Sequence, residues 1–244
     1  MSAQAFDTRN IRWIAFDAVG TLIQPNPAAG AIYHRVGMRH GSRLSADEVA
    51  GRFRTIFARA DQSGDRKCGC LEAGDHWHTC ETRERLKWEQ IVRSVLDDVA
   101  APEACFAELF AHFGRPDAWA CFPDVGASLA RLRQAGFRLA VASNFDARLH
   151  PVMDGLPELA PIELRVVSSE VKYRKPSRHF FDALVRKANC AAHEILFVGD
   201  DPQVDVAAAQ AAGLCAWQID RALVSVQNRT LRSLDDLTAR LNVR

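Results

Sequence analysis

The chain has 244 residues, enough for one large α/β domain or for a core domain that carries a smaller inserted one. A formal net charge of +1 gives no bias toward a nucleic-acid or a membrane partner, and we expect neither. The N-terminal residues lack a signal-peptide pattern, and no run of the sequence is long enough to span a bilayer, so we expect a cytoplasmic location. Seven scattered cysteines, an odd number, argue against a secreted disulfide framework.

The first predicted element is the apolar run from Ile11 to Asp17, which has the composition of a short strand buried on both faces. The run continues into Ala-Val-Gly-Thr, so a carboxylate stands at the last position of a buried strand. Taken alone, Asp17 is more simply explained as the cap of a turn after the strand. A functional interpretation of Asp17 therefore depends on which other residues the fold places beside it.

The second region, residues 25–116, contains apolar residues at helical spacing and no strand pattern. We predict four amphipathic helices there, which interrupt the α/β part of the chain directly after its first strand. Their sequences are AAGAIYHRVGMRHG, SADEVAGRFRTIFARAD, TRERLKWEQIVRSVLDDVA and PEACFAELFAHFG.

The third region alternates strand and helix patterns, which predicts a parallel sheet with helices on both faces. Gly136 and Gly213 end two of the helix patterns and are expected to supply left-handed C-caps. The expected fold is thus an α/β, Rossmann-like core of residues 1–24 and 117–244 with an inserted four-helix module of residues 25–116. The predicted strands of this region are Phe137–Ser143, Leu164–Ser169, Glu194–Asp200 and Leu214–Ile219, and the helices are Asp124–Gly136, Pro176–Cys190 and Pro202–Gly213.

Polar residues follow several of the predicted strands. Asp17, Ser143, Asp200 and Asp201 all lie at carboxyl ends, which is the edge where ligands bind in open parallel sheets. Each has a structural alternative, such as a turn after the strand or an N-cap of the next helix. One fold would nevertheless gather all four of them.

Four short motifs carry a resemblance to a known family. Asp-x-x-Gly-Thr-Leu, Ser-Asn, Lys-Pro and Gly-Asp-Asp occur in this order, with the helical insert after the first, and this arrangement resembles the haloacid dehalogenase-like superfamily of hydrolases over nearly the whole chain. The resemblance implies that the insert is a cap over the strand ends. It also implies that Asp17 is the nucleophile, that Ser143 binds the transferring group, and that Lys175 pairs with the nucleophile and with the phosphate. The implied substrate contacts are Gly20, Thr21 and Asn144. The implied metal ligands are Asp17, Asp200, Asp201 and the backbone carbonyl of Val19, and Asp205 is expected to orient the acidic loop.

These residue types suit phosphoryl transfer. A carboxylate can attack phosphorus in line and form a covalent intermediate that water then removes. Mg²⁺ and a lysine offset the negative charge that develops on the phosphoryl oxygens, and Mg²⁺ prefers hard carboxylate ligands. The expected partner is a small phosphorylated metabolite. For Lys175 the alternative is a solvated loop charge, because Lys172, Arg174 and Arg178 lie in the same segment.

Val19 departs from the family pattern. Phosphatases of this superfamily usually carry a second aspartate two residues after the nucleophile, which protonates the leaving group. Valine has no proton to exchange, and such catalysis is typically worth about a hundredfold to ten-thousandfold. Three interpretations stay open: a magnesium-dependent phosphatase-type hydrolase restricted to good leaving groups, a domain that binds a phosphorylated metabolite or a protein partner without turnover, and a haloacid dehalogenase-type hydrolase.

A second cluster of metal-ligand residue types lies within the insert. The stretch CGCLEAGDHWHTC brings five soft ligands within thirteen residues, enough for a structural Zn²⁺ site, although an exposed loop with free cysteines explains it more simply. The aromatic residues Tyr33, Trp77 and Trp88 of the insert are candidates for the substrate pocket, although rings at helical spacing more often form the core of a helical module. Trp88 is assigned to that core, and Tyr33 is left open between the two. The candidate zinc ligands are Cys68, Cys70, His76, His78 and Cys80.

Overall fold

The computed structural model describes residues 10–62, 76–223 and 230–243. Within them the strands form one parallel sheet and one short antiparallel pair. The strands are β1 (Trp13–Phe16), β2 (Ile23–Pro25), β3 (Trp119–Cys121), β4 (Arg138–Ser143), β5 (Leu164–Val167), β6 (Ile195–Gly199), β7 (Cys215–Ile219) and β8 (Thr230–Leu231).

The α-helices fall into two groups, four between β2 and β3 and the rest after β3. A π-helical segment, Pro202–Ala207, precedes the ninth helix. The helices are α1 (Ala29–Arg39), α2 (Ala46–Gln62), α3 (Glu81–Val95), α4 (Pro102–His112), α5 (Val125–Gln134), α6 (Leu149–Asp154), α7 (Ser168–Val171), α8 (Arg178–Ala188), α9 (Ala208–Ala211) and α10 (Leu234–Arg240).

The large sheet has the strand order β5-β4-β1-β6-β7-β8, and all of its neighbouring pairs are parallel. The first strand of the chain is therefore central, with β4 on one side and β6 on the other. Phe16, the last residue of β1, pairs with Val141 of β4 and Val198 of β6. The strand order reverses at β1, and the crevice at such a switch point is where open α/β sheets bind ligands.

Both faces of the sheet are covered, which explains why its strands are continuously apolar. Successive side chains of a strand point to opposite faces. Ile14 and Phe16 belong to a buried cluster with residues of α5, α6 and α10, whereas Trp13 and Ala15 belong to a second cluster with residues of α8 and α9. The predicted α/β Rossmann-like fold is confirmed.

Helices α1 to α4 form a module with its own core. Each helix packs against the next, and α1 also packs against α4. Their inward faces bury a separate cluster that includes Ile32, Val36, Ile91 and Leu109. The antiparallel pair β2–β3 joins this module to the rest of the chain, with Ile23 opposite Cys121.

Three features differ from the sequence-based expectation. The sequence does not predict strands β2, β3 and β8, because two or three residues are too few to show a periodicity. Helix α10 is also absent from the predicted elements. The predicted helix from Pro202 to Gly213 opens as a π-helix, in which the carbonyl of Asp201 accepts from the amides of both Asp205 and Val206. The two predicted left-handed C-caps, in contrast, agree with the structure, because Gly136 and Gly213 have φ values of 92° and 90°.

Candidate active site

Asp17 extends the central strand by one residue. Its backbone amide donates a hydrogen bond to the carbonyl of Val198 in β6 over 2.9 Å. The chain then turns sharply, because the carbonyl of Ala18 accepts from the amides of Leu22 and Ile23 at 2.8 and 2.9 Å. The pairing with β6 and this turn fix the Asp17 carboxylate at the carboxyl edge of the sheet.

Gly20 and Thr21 build the turn and hold Asp200. Gly20 has φ +89°, and a Cβ at this position would lie 2.5 Å from Oδ2 of Asp200, so only glycine fits. The Gly20 amide donates to the carbonyl of Ile23 over 2.9 Å. Thr21 is fully buried, and its hydroxyl donates to Oδ1 of Asp200 over 3.3 Å. Both residues were predicted as substrate contacts, but only Gly20 lines the cavity above the site.

Lys175 is the basic residue of its segment that reaches the site. Its side chain is buried, and its Nζ donates to Oδ1 of Asp17 at 2.7 Å and to Oδ1 of Asp205 at 2.6 Å. Lys172 and Arg178, two of the other basic residues in this segment, are exposed. Burial by itself lowers the pKa of Lys175, but the negative charges of Asp17 and Asp205 outweigh it and raise the pKa above its ordinary value. The ammonium group therefore stays charged.

Asn144 positions Lys175 through its backbone. Its side-chain amide donates to the carbonyl of Lys175 over 3.0 Å, and its Oδ1 accepts from the amide of Lys175 over 2.7 Å. Asn144 also lines the cavity, and its role as a substrate contact stays a prediction. Ser143, the last residue of β4, is buried and lines the same cavity, and its role in binding the transferring group likewise stays a prediction.

Three carboxylates converge at this edge of the sheet. One oxygen from each of Asp17, Asp200 and Asp205 lies within 4.8 Å of the others. Loss of hydration raises the pKa of Asp200 to about 7, with further contributions from the charges of Asp17 and Asp205. Loss of hydration also raises the pKa of Asp205 to about 6, against the opposing charge of Lys175. The three carboxylates outnumber the one ammonium group, so their mutual repulsion adds to the effect of burial on both pKa values.

Asp201 and Asp205 shape the acidic loop. Oδ1 of Asp201 accepts from the amides of Gln203 and Val204 at 2.7 and 2.8 Å and so caps the π-helical turn. Oδ2 of Asp205 accepts from the amide of Asp201 over 3.1 Å, which is the orienting role predicted for it. The group of three carboxylates thus contains Asp205 in place of Asp201, which is one of the ligands that the sequence predicts.

A cavity of about 540 Å³ lies above these residues, between the strand ends and the four-helix module. Its floor is charged and is formed by Asp17, Lys175, Asp200 and Asp205, which we call the charged floor. The rest of its lining is mostly apolar, apart from Ser143, Asn144, Arg148 and Asp201. Val19 stands where the two surfaces meet, with its side chain exposed to the cavity. This volume is within the range of pockets that bind small molecules.

Comparison with known proteins identifies the family. The family model described as haloacid dehalogenase-like hydrolase matches residues 11–213. The chain belongs to the haloacid dehalogenase-like hydrolases. Among its relatives, haloacid dehalogenase-like hydrolase domain-containing protein 3 of Danio rerio is 25% identical over 242 residues, with 95% of this chain and 96% of the relative covered. A phosphoserine phosphatase of Thermus thermophilus is also 25% identical, over 236 residues, with 87% and 90% covered. The crystal structure of a defluorinating L-2-haloacid dehalogenase, Rha0230, shares the fold with a TM-score of 0.74 at 17% identity, and 96% of each chain is covered.

Aromatic rings form much of the cavity lining of this hydrolase. Seven of them follow one another with neighbouring ring centroids 4.8 to 6.1 Å apart. The series includes Tyr33, which the sequence left open, and Trp88, which had been assigned to the core of the module alone; Trp77 does not line the cavity. We call this series the aromatic wall: Trp88, Phe57, Phe53, Tyr33, Phe113, Trp119 and Phe145.

Arg148 is the charged side chain next to the aromatic wall. Its guanidinium group donates to both carboxylate oxygens of Asp146, at 2.8 and 2.7 Å, and to the carbonyl of Phe110 near the end of α4 over 3.0 Å. It also lies over the Phe110 ring, 3.6 Å from the centroid. Arg148 therefore joins the loop after β4 to the four-helix module while its charge is balanced by Asp146.

Arg221 contacts the turn after Asp17, and no motif of the sequence indicates this role. Its guanidinium group donates to the carbonyl of Thr21 over 2.7 Å and to Asp124 over 2.9 Å. It stacks on the ring of Phe122 at 3.8 Å. An arginine that follows β7 outside any recognisable motif thus holds the turn that follows Asp17.

The candidate zinc site finds no support among the described residues. Cys68 and Cys70 lie outside the described ranges. His76, His78 and Cys80 are described, but they do not form a group of three converging ligand atoms there, whereas the three aspartates do. The ring of His78 contacts Tyr173 edge-on, at 5.6 Å between centroids. No helix within the described ranges is long and apolar enough to cross a membrane.

Proposed function

We propose that this protein is a magnesium-dependent, phosphatase-type hydrolase that uses Asp17 as nucleophile on a small phosphorylated metabolite with a good leaving group. The observation that supports this most strongly is the buried Lys175, which joins Asp17 to Asp205 beneath an open cavity. Burying three charged groups is costly, and perturbed ionisable groups in a cleft are typical of catalytic sites.

The chemistry of the step follows from Asp17. Its carboxylate attacks phosphorus, the bond from phosphorus to the leaving oxygen breaks, and the electron pair departs with that oxygen. Water then attacks the aspartyl phosphate, which releases phosphate, restores the carboxylate and gives a proton to solvent. Lys175 binds Oδ1 of Asp17, so the orientation of the nucleophile is set before the substrate arrives.

The carboxylate cluster has donors that fit Mg²⁺. Its oxygens are hard ligands, and it holds three carboxylates against one ammonium group, an excess that a divalent cation would neutralise. Asp17, Asp200 and the backbone carbonyl of Val19 would hold the ion. Asp201 and Asp205 would support the loop, because their oxygens already bind backbone amides and Lys175. When bound, the ion supplies charge stabilisation to the transferring phosphoryl group.

Val19 restricts the leaving group. Its side chain faces the cavity and cannot protonate an alkoxide. Groups that leave as stable anions, such as the carboxylate of an acyl phosphate, need little protonation. Acyl phosphates are therefore better substrates for this site than simple phosphate monoesters.

Release of inorganic phosphate from acetyl phosphate in the presence of Mg²⁺ tests this function. We expect wild-type turnover and a loss of at least about a thousandfold in Asp17→Asn, because no carboxylate remains to attack. Asp117→Asn, the same change at an exposed residue that does not line the cavity, should keep wild-type activity. Equal rates in wild type and Asp17→Asn would contradict the proposal.

A second candidate, a domain that binds a phosphorylated metabolite or a protein partner without turnover, is favoured by Val19 alone. If wild type and Asp17→Asn are both silent and acetyl phosphate still raises the melting temperature of the wild type, that candidate replaces the first. Chloride release from 2-chloropropionate without added metal would instead support dehalogenase-type hydrolysis. The charged floor argues against this, because attack on carbon does not call for a cluster of three carboxylates.

A further inference from the structure

The aromatic wall indicates which kind of organic group the cavity can bind. Its rings are not an isolated patch, since they run from the four-helix module to Phe145, two residues after Ser143. The apolar lining therefore begins beside the residue expected to hold the transferring group. A substrate whose phosphoryl group sits on the charged floor must place its organic part against these rings.

The charges of the lining exclude a second anionic group on the substrate. The cations on the described lining are Lys175, bound to Asp17 and Asp205, and Arg148, bound to Asp146. Each already has its counter-charge, so neither offers an uncompensated charge to a further carboxylate or phosphate. Burying such a group against the rings without a counter-charge would be unfavourable.

We propose that the substrates are phosphorylated compounds whose organic part is uncharged, apolar and at least as large as a single six-membered ring. This proposal rests on the proposed function and adds the substrate class to it. The cavity of about 540 Å³ has room for a ring in addition to the phosphoryl group. Val19 contributes a further apolar contact next to the leaving oxygen.

A series of acyl phosphates tests the proposal, because the leaving carboxylates are of similar basicity while the organic part varies. We expect kcat/KM for benzoyl phosphate to exceed that for acetyl phosphate by about tenfold to a hundredfold, the amount that burial of one ring supplies. Cyclohexanecarbonyl phosphate should resemble benzoyl phosphate. Adding a carboxylate, as in 4-carboxybenzoyl phosphate, should remove most of the gain. Equal values for acetyl and benzoyl phosphate, or a preference for the carboxylated compound, would overturn the inference.

Variants of the wall sharpen the test. Phe57→Ala removes a ring from the wall and should lower the benzoyl-to-acetyl ratio by about threefold to tenfold. Phe137→Ala removes the same group from a partly buried site outside the cavity and should leave the ratio unchanged. If Phe57→Ala does not fold, Ala29→Phe takes its place in the test. The added ring fills part of the cavity instead of leaving a gap, so this variant should also lower the benzoyl-to-acetyl ratio. An unchanged ratio in the folded wall variants would contradict the proposal.

Binding of inert analogues separates this inference from the proposed reaction. Calorimetric titration with benzylphosphonate and methylphosphonate, each in the presence of Mg²⁺, requires no turnover. If no acyl phosphate is hydrolysed but benzylphosphonate binds at least about tenfold more tightly, the proposed reaction fails and the substrate class stands. If acyl phosphates are hydrolysed in an Asp17-dependent way with no preference for the ring, the reaction stands and the substrate class fails. Equal affinities for the two phosphonates would count against the substrate class in either case.

Discussion

The charged floor and the aromatic wall are two halves of one cavity, and they are built in opposite ways. Asp17 and Lys175 lie 158 residues apart, and hydrogen bonds of 2.6 and 2.7 Å from one buried ammonium group join Lys175 to two carboxylates. The rings of the wall mainly pack, with centroids 4.8 to 6.1 Å apart, and Nε1 of Trp119 also donates to the carbonyl of Phe113 over 3.1 Å. Directional contacts between charges require particular residues, whereas packing requires only apolar groups of suitable size.

The comparison indicates how each half responds to change. A substitution in the floor leaves a buried charge without its partner, so its effect should be large. A substitution in the wall changes contact area, so its effect should be graded. Four predictions test this contrast, from the largest expected effect to the smallest.

Lys175→Met should be the most damaging change, because it leaves Asp17 and Asp205 buried beside each other without their cation. We expect the free energy of unfolding to fall by about 3 to 5 kcal/mol in urea denaturation without metal. Activity should also fall by at least about a hundredfold, because the nucleophile loses its orientation and the transition state loses a positive charge. Lys172→Met, the same change at an exposed lysine three residues earlier, is the control and should behave as wild type. Equal free energies of unfolding for Lys175→Met and Lys172→Met would show that the contacts of Lys175 with Asp17 and Asp205 do not stabilise the fold.

Magnesium should bind through Asp200 and not through Asp201. At about one hundred times its dissociation constant, Mg²⁺ should raise the free energy of unfolding by about 2.7 kcal/mol, measured by thermal denaturation. Asp200→Asn should lose most of this gain, because a ligand oxygen and its charge are removed. Asp201→Asn should keep the gain while lowering the metal-free stability by about 1 kcal/mol or less through a weaker helix cap. The reverse pattern would assign the ligand role to Asp201.

Asp146→Ala tests the charged exception beside the aromatic wall. The Arg148–Asp146 pair has side chains only 15% and 2% exposed, so removal of the carboxylate should cost about 2 to 3 kcal/mol in urea denaturation, between the values for exposed and for fully buried pairs. The Arg115–Asp117 pair is a matched control, with the same spacing in the sequence but side chains 63% and 62% exposed. Asp117→Ala should change stability by less than about 0.5 kcal/mol. Equal costs at the two positions would contradict the importance of burial.

Val19→Asp acts where the floor meets the wall. A carboxylic acid at this position can protonate the leaving phenoxide of phenyl phosphate, so kcat/KM for this substrate should rise by about tenfold. The rate with acetyl phosphate should stay the same or fall, because its leaving group needs no proton. Val19→Asn is the control, because asparagine is similar in shape to aspartate but has no acidic proton. It should show no rise in kcat/KM for phenyl phosphate. If Val19→Asp folds and its rate with phenyl phosphate is unchanged, the missing acid is not what limits the reaction.

Part of the charged floor could be predicted from the sequence because two of its residues stand at strand ends. Asp17 and Asp200 each follow an apolar run, as does Ser143 in the same cavity, and a parallel sheet brings such ends to one edge whatever the details of packing. Lys175 was identified by its place before Pro176, but only the structure shows that Lys175 is the one of several neighbouring basic residues that is buried against Asp17. The family was likewise recognisable from short motifs that depend on local spacing.

The sequence by itself determined the class of fold, the four-helix insert and the residue types of the reaction, because hydrophobic periodicity and strand-end motifs are local properties. The tertiary structure decided which residues support the others within the site. Asn144 binds the backbone of Lys175, Thr21 binds the carboxylate of Asp200, and Arg221 binds the turn after Asp17. It also decided that Tyr33 and Trp88 line a cavity, since a ring at helical spacing looks the same in the sequence whether it faces a core or a substrate. Contacts between residues far apart in the chain depend on how helices and strands pack, and no local pattern records them.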